Sequence, residues 1–222
     1  AVSLKDGLDP DAMDVTGALS ADALTAADLA AGRWDGAALR LFVVDWSEPE
    51  GDQLLLARGE LGAVSIEDNR FTAELKGPAA QLAIPVAELT SPDCRADLGD
   101  ERCRVDLAPL VTITEIAAVI DDTVIDVAAA GGPANGYGYG RLRWIGGANS
   151  GLAAAILRSD GNRISLREAP AFAAAVGDRV ELTRGCDKIF ATCRDRFANS
   201  ENFRGEPHLP GNDLLTRYPG AG

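Results

Sequence analysis

Val111-Thr-Ile-Thr-Glu-Ile-Ala-Ala-Val-Ile120, Val124-Ile-Asp-Val127, Gly140-Arg-Leu-Arg-Trp-Ile145, Ala153-Ala-Ala-Ile-Leu-Arg158, Ile164-Ser-Leu-Arg167 and Arg179-Val-Glu-Leu182 are six short, largely apolar segments. Gly146-Gly-Ala-Asn-Ser-Gly151 and Ser159-Asp-Gly-Asn162 separate neighbouring segments with turn-forming residues. Short runs divided by Gly and Asn read as strands rather than helices. Six of them in succession predict a compact β barrel or sandwich.

The β pattern also runs upstream. Leu39, Leu41 and Val43 alternate with Arg40, Phe42 and Val44, which predicts a largely buried strand ending near Trp46. The turn Glu48-Pro-Glu-Gly-Asp52 leads to strands over Gln53–Ala57 and Glu60–Ile66, and Asp68-Asn69 turns into Phe71–Leu75. That spacing predicts an antiparallel meander. The first 38 residues are polar and rich in Ala, Asp and Leu; Thr25-Ala-Ala-Asp28 has capping spacing and Gly32 follows, predicting a helix over 26–31. Gly77-Pro78 and Pro85 then interrupt the strands. The expected organisation is therefore a β-rich domain over 1–84, a cysteine loop over 85–109, the barrel or sandwich over 110–183, and a second cysteine loop with an extended tail over 184–222. After Cys193 the sequence reads as loop, and Pro207, Pro210, Leu214, Leu215 and Tyr218 mark a segment that would lie along another surface.

All four cysteines flank the barrel segment in two pairs, Cys94/Cys103 and Cys186/Cys193. Arg95, Arg102, Arg104, Arg184, Lys188 and Arg194 stand within two positions of a cysteine. These are six of the 21 Lys+Arg, where an even spread would place about 1.5. Cations beside a thiol favour the thiolate, the form that ligates metal. Four readings follow from the residues. The spacings are wide for a zinc ribbon, while a 4Fe-4S cluster tolerates varied spacing and its anionic charge would be offset by these cations. Two disulfides, or thiols with no site, are the other two readings.

Composition narrows the function. A net charge of −13 argues against general nucleic-acid binding and against a basic membrane-surface helix. No apolar run reaches the length of a membrane-spanning helix. The N-terminus lacks a signal-peptide pattern and an initiating Met, which reads as either a processed product or a chain listed without its upstream residues. His208, the only histidine, lies in Pro207-His-Leu-Pro210 with no orienting carboxylate and reads as a loop residue. Gly136-Tyr-Gly-Tyr-Gly140 lacks the lysine and helix of a phosphate loop and reads as a β connection. The carboxylates of Glu67-Asp68 and Asp121-Asp122 fall in turns, and Trp34, Trp46 and Trp144 read as core anchors. No catalytic residues are assigned and no enzymatic activity is expected.

Gly185-Cys-Asp-Lys188, Cys193-Arg-Asp-Arg-Phe-Ala-Asn199, Asn202-Phe-Arg-Gly205 and Pro207-His-Leu-Pro-Gly211 resemble the C-terminal region of tail-tip hub proteins of alphaproteobacterial prophages and gene transfer agents. Ser91-Pro-Asp-Cys94, Leu98-Gly-Asp100 and Cys103 resemble that family's first cysteine loop, and Trp144-Ile-Gly-Gly-Ala-Asn-Ser-Gly151 with Gly177-Asp178 its middle β domain. The cysteine spacing is also similar to that of the iron–sulfur tail-tip protein of lambda-like siphophages, although the 82 residues between pairs are more than that protein has. The resemblance implies a mainly β fold with a tail-tube-like first domain and an irregular four-cysteine region. It further implies a 4Fe-4S cluster, with zinc as the alternative, on Cys94, Cys103, Cys186 and Cys193. The implied role is a homotrimeric structural hub of a virion tail tip or baseplate, assembled in the bacterial cytoplasm. Such a hub joins the distal tail ring to fibre and other tip proteins, and its lumen passes the tape measure and then DNA. The alternatives are a ferredoxin-like redox protein and a disulfide-stabilised β-domain binding module.

Overall fold

A computed structural model of the chain describes residues 12–18, 24–67, 70–77 and 87–209. The chain is mainly β and divides into two compact units, 1–88 and 89–222.

In the first unit, β1 (Ala12–Ala18), α1 (Ala26–Ala30), β2 (Ala38–Val44), β3 (Gln53–Glu67) and β4 (Arg70–Lys76) form a four-stranded antiparallel sheet in the order β1-β4-β3-β2, with α1 against β3. The expected meander is thus β2-β3-β4, to which β1 adds a strand on the β4 side. The Ala/Asp-rich composition around β1 concealed it. Thr25 caps α1 by accepting the Asp28 N–H at 3.1 Å, the role its spacing implied.

Two strands expected over 53–66 are one 15-residue strand. Gly59 does not break it: a side chain there would meet the Lys76 carbonyl, so glycine lets β3 run past the end of β4. Among the described residues this unit buries only Leu29, Leu61, Ala73 and Leu75 as hydrophobic core. The buried strand expected at 39–44 is instead largely exposed, and Trp34 and Trp46 are exposed at 38% and 90%. Apolar alternation marks a strand, but not what covers it.

The second unit contains β5 (Val111–Val119), β6 (Val124–Val127), β7 (Arg141–Trp144), β8 (Ala153–Asp160), β9 (Arg163–Leu166) and β10 (Arg179–Thr183). They close into a six-stranded antiparallel barrel in the order β10-β5-β6-β9-β8-β7, with β7 returning to β10. Period-two patterning fills it. Ile125 and Val127, Leu142 and Trp144, and Val180 and Leu182 point inward, joined by Ile116, Ile156 and Ile164. The outward positions carry cross-strand ion pairs, Arg143–Glu181 at 2.8 Å and Arg163–Asp126 at 2.8 Å. Asn149 is fully buried and fixes two loops together, donating to the Phe172 carbonyl at 2.7 Å and accepting its N–H at 3.0 Å.

Closure has one consequence for the chain ends. Thr183 of β10 lies opposite Val111 of β5, and the Arg184 N–H donates to the Leu110 carbonyl at 3.0 Å. The segment entering the barrel and the segment leaving it therefore lie side by side, although 73 positions separate residues 110 and 183 in the numbering.

The barrel core should tolerate no cavity. Ile156→Ala should lower unfolding stability by about 2–5 kcal/mol, read from the urea midpoint, with an unchanged m-value.

Candidate metal centre

The barrel's paired ends carry both cysteine loops to one place. Cys186 lies three residues beyond β10, and Cys103 lies eight before β5. The turn over 136–140 supports the exit of β10. The Gly185 N–H donates to the Gly136 carbonyl at 3.2 Å, and a side chain at Gly185 would strike the backbone of Gly138 and Gly140. The glycine-rich stretch is the β connection its sequence implied, and it sets the position of Cys186.

Asp100 shapes the first loop. Its carboxylate accepts the N–H groups of Cys103 at 2.6 Å, Arg102 at 2.9 Å and Asp97 at 2.8 Å, which holds its pKa below the usual carboxylate range. Cys193 is carried by a helix the sequence had not signalled, α2 (Phe190–Phe197). Ala198 ends it in a left-handed conformation, with Asn199 N–H returning to the Cys193 carbonyl at 3.1 Å. The expectation of irregular chain after Cys193 is corrected accordingly: α2 is followed by a 3-10 turn over Ser200–Asn202. Eight residues containing three charges gave too weak an apolar stripe to read as helix. The Phe190 ring meets Phe203 edge-on at 5.0 Å, and the exposed His208 at 6.3 Å.

Four free thiols result, Cys103 and Cys193 buried, Cys94 and Cys186 half-buried. They are mutually close: burial first, then Cys186, Cys94 and Cys103, push the Cys193 thiol up to about 11. Burial also raises Cys186, against the opposing Lys188 N–H. Desolvation outweighs the cations here, contrary to what their positions in the sequence implied. Three of these side chains are also held by other groups. Arg194 pairs with Asp195 at 2.6 Å, Lys188 with Asp97 at 2.8 Å, and Arg104 donates to the Glu101 carbonyl at 3.2 Å. What reaches the sulfurs are N–H groups. Arg204 N–H donates to Cys94 Sγ at 3.4 Å, Asn199 Nδ2 to Cys103 Sγ at 3.7 Å, and the Lys188 N–H to Cys186. Arg104, Lys188 and Ala198, three of the five non-glycine residues with positive φ among the described residues, all lie within five positions of a cysteine. Backbone strain collects at sites that need a particular geometry.

The donor set suits a four-thiolate group. Among the described residues, no three Cys, His, Asp or Glu side chains close to the spacing of a single metal ion. Four thiolates are the donor set of an iron–sulfur cluster and also of a structural zinc ion.

The C-terminal segment is also held without metal. Arg95 N–H donates to the Arg204 carbonyl at 3.1 Å, and Glu206 N–H to the Ser91 carbonyl at 2.8 Å. Asn199 Nδ2 donates to the Cys103 carbonyl at 2.6 Å. Arg95 grips the Glu206 carboxylate with both terminal nitrogens, at 2.8 and 2.9 Å, while Ser91 N–H adds a third bond at 2.9 Å. None of Asn199, Arg204 or Glu206 had been assigned a role, because their partners are about 100 residues away and no local spacing reveals them. Pro210, Gly211, Leu214, Leu215 and Tyr218 lie outside the described residues.

Residues 1–106 match the family described as "Baseplate hub protein, N-terminal attachment domain", and residues 135–213 match "Phage conserved hypothetical protein BR0599". A chain in the solved structure titled "Virion of native gene transfer agent (GTA) particle" is similar over all of this chain and 78% of its own length, with 39% identity and a TM-score of 0.85. Comparison with curated proteins gives no match. The chain belongs to the phage and gene transfer agent tail hub family.

The Glu206 carboxylate, held at about 2 by Arg95 and Ser91, stabilises the fold above its ordinary value of 4.5. That contribution is lost as pH falls from 4.5 through about 2. Glu206→Gln should lower the melting temperature at neutral pH and flatten its decline over that acid window, as followed by circular dichroism.

Proposed function

We propose that this chain is a structural, non-enzymatic subunit of a phage-like tail tip, present in the particle as a homotrimer. In it, Cys94, Cys103, Cys186 and Cys193 would hold a 4Fe-4S cluster as a staple. Membership in the hub family and likeness to a chain of a gene transfer agent virion support the tail role. The observation that carries the cluster is the convergence of all four thiols at the paired ends of the barrel, three of them accepting N–H groups. Thiolate ligands of a cluster take such bonds, which also tune its potential.

The residues divide the work. Cys94 and Cys103 present the first loop, Cys186 the exit of β10, and Cys193 the helix, so a bound cluster would join three segments through metal–thiolate bonds. Asn199 and Arg204 orient sulfurs from the C-terminal side. Loading must expel the Cys193 proton, since that thiol stays protonated near neutrality without metal. In the assembled tip the subunit would link the distal tail ring to fibre and tip proteins around a lumen passing the tape measure and DNA.

Cys186→Ser should abolish cluster incorporation and leave tails incomplete. Anaerobically purified parent should show a broad absorbance shoulder near roughly 400 nm and equal amounts of iron and sulfide, both missing from the variant. Stoichiometric zinc in place of iron would reject the cluster, and normal particles from the variant would reject its structural role.

A further inference from the structure

Among the described residues, the ribbon formed by β2 and the first half of β3 has no further strand partner. β4 pairs with β3 only from Glu60 onward, and β2 is the last strand of its sheet, so Phe42–Val44 and Gln53–Leu55 pair solely with each other. Phe42 lies opposite Leu55 on one face, and Val43 opposite Leu54 on the other. All four are exposed, Leu54 to 65%, and Trp46 beyond them to 90%. A two-stranded ribbon with apolar side chains on both faces and two open edges is marginal alone and is an invitation to pairing. A register shift between Leu41 and Phe42 marks a bulge where the ribbon begins, a feature that bends strands away from their sheet.

Charge selects the occupant. The ribbon ends in Asp45, Glu48, Glu50 and Asp52, with no Lys or Arg from 41 to 57. Among the described residues no cation pairs with these four; Asp45 is held only by Ser47. The first unit carries 16 acidic against six basic residues, a net of −10 of the chain's −13. A second copy would bring the same sign to the contact, and an anionic membrane or nucleic acid would also repel the tip. A hydrophobic ribbon with an acidic end suits a protein offering an apolar groove rimmed with Lys or Arg.

We infer that the β2–β3 ribbon is the plug by which this chain enters a different, basic-rimmed protein of the tail. This deepens the tail reading above and rests on it. The family model covering residues 1–106, described as an attachment domain, is consistent with the plug lying in this unit.

Tails purified from cells lacking this chain supply the probe, and binding of labelled full-length chain is measured by co-sedimentation across a salt series. The parent should bind, and Val43→Ser/Leu54→Ser should bind at least tenfold more weakly with unchanged circular dichroism and oligomeric state. Glu48→Gln/Glu50→Gln/Asp52→Asn should bind more weakly at low salt and lose most of the salt dependence. Parent-like binding by both variants overturns the inference while leaving the tail reading intact. Loss of self-association in the Val43→Ser/Leu54→Ser variant overturns it in favour of a second copy. Flotation of the parent, but not this variant, with phosphatidylcholine vesicles overturns it in favour of lipid. Failure of the parent to bind these tails overturns the tail reading, and the inference with it.

Discussion

The antiparallel pairing of β5 with β10 is the constraint on which the second unit depends. It closes the barrel, and by placing Val111 opposite Thr183 it brings together two chain ends distant in sequence. Everything at the cysteine site follows from that register. The 82 residues between Cys103 and Cys186 collapse to a short span because the barrel consumes nearly all of them. The intervening length can therefore vary with the barrel's loops without moving the cysteines, provided the pair of ends is kept.

At the site itself, two opposing effects act on the thiols. Neighbouring cations stabilise a thiolate, and burial among other sulfurs destabilises it. Burial and the neighbouring sulfurs prevail at Cys193, while Lys188 and Arg194 pair with Asp97 and Asp195. The centre is lined by N–H dipoles, which stabilise sulfur charge without adding a full charge of their own. The same backbone also fastens the C-terminal segment through Asn199, Arg204 and Glu206. These contacts hold the segment through the protein's own hydrogen bonds, in contrast to small zinc modules in which metal alone creates the fold.

The two units bury apolar surface unequally. The barrel encloses a continuous core from every strand, whereas the described part of the first unit buries four apolar side chains and leaves the β2–β3 ribbon exposed on both faces. A sheet so sparsely covered has the exposed apolar surface that protein–protein contacts use.

The strand pattern was legible in the sequence because period-two burial writes itself locally. Val124–Val127 was located to the residue, and Ile125, Leu142, Trp144, Val180 and Leu182 point inward as their alternation implies. Thr25 and Asp28 likewise announced α1. The cysteines stood out as candidate ligands by pairing and by resemblance. Their surroundings did not, because Asn199 and Glu206 act on residues about 100 positions away. Nor did α2, whose helix is settled by contacts of Phe190 and Cys193 more than by its own weak amphipathicity. Sequence by itself thus determined most of the strands, though not β1 or the continuity of β3, and which residues carry sulfur. Only the tertiary structure decided that the strands close into a barrel rather than a sandwich, which apolar side chains stay uncovered, and that several flanking cations engage carboxylates and carbonyls. Those outcomes depend on register and on distant partners, which no local spacing encodes.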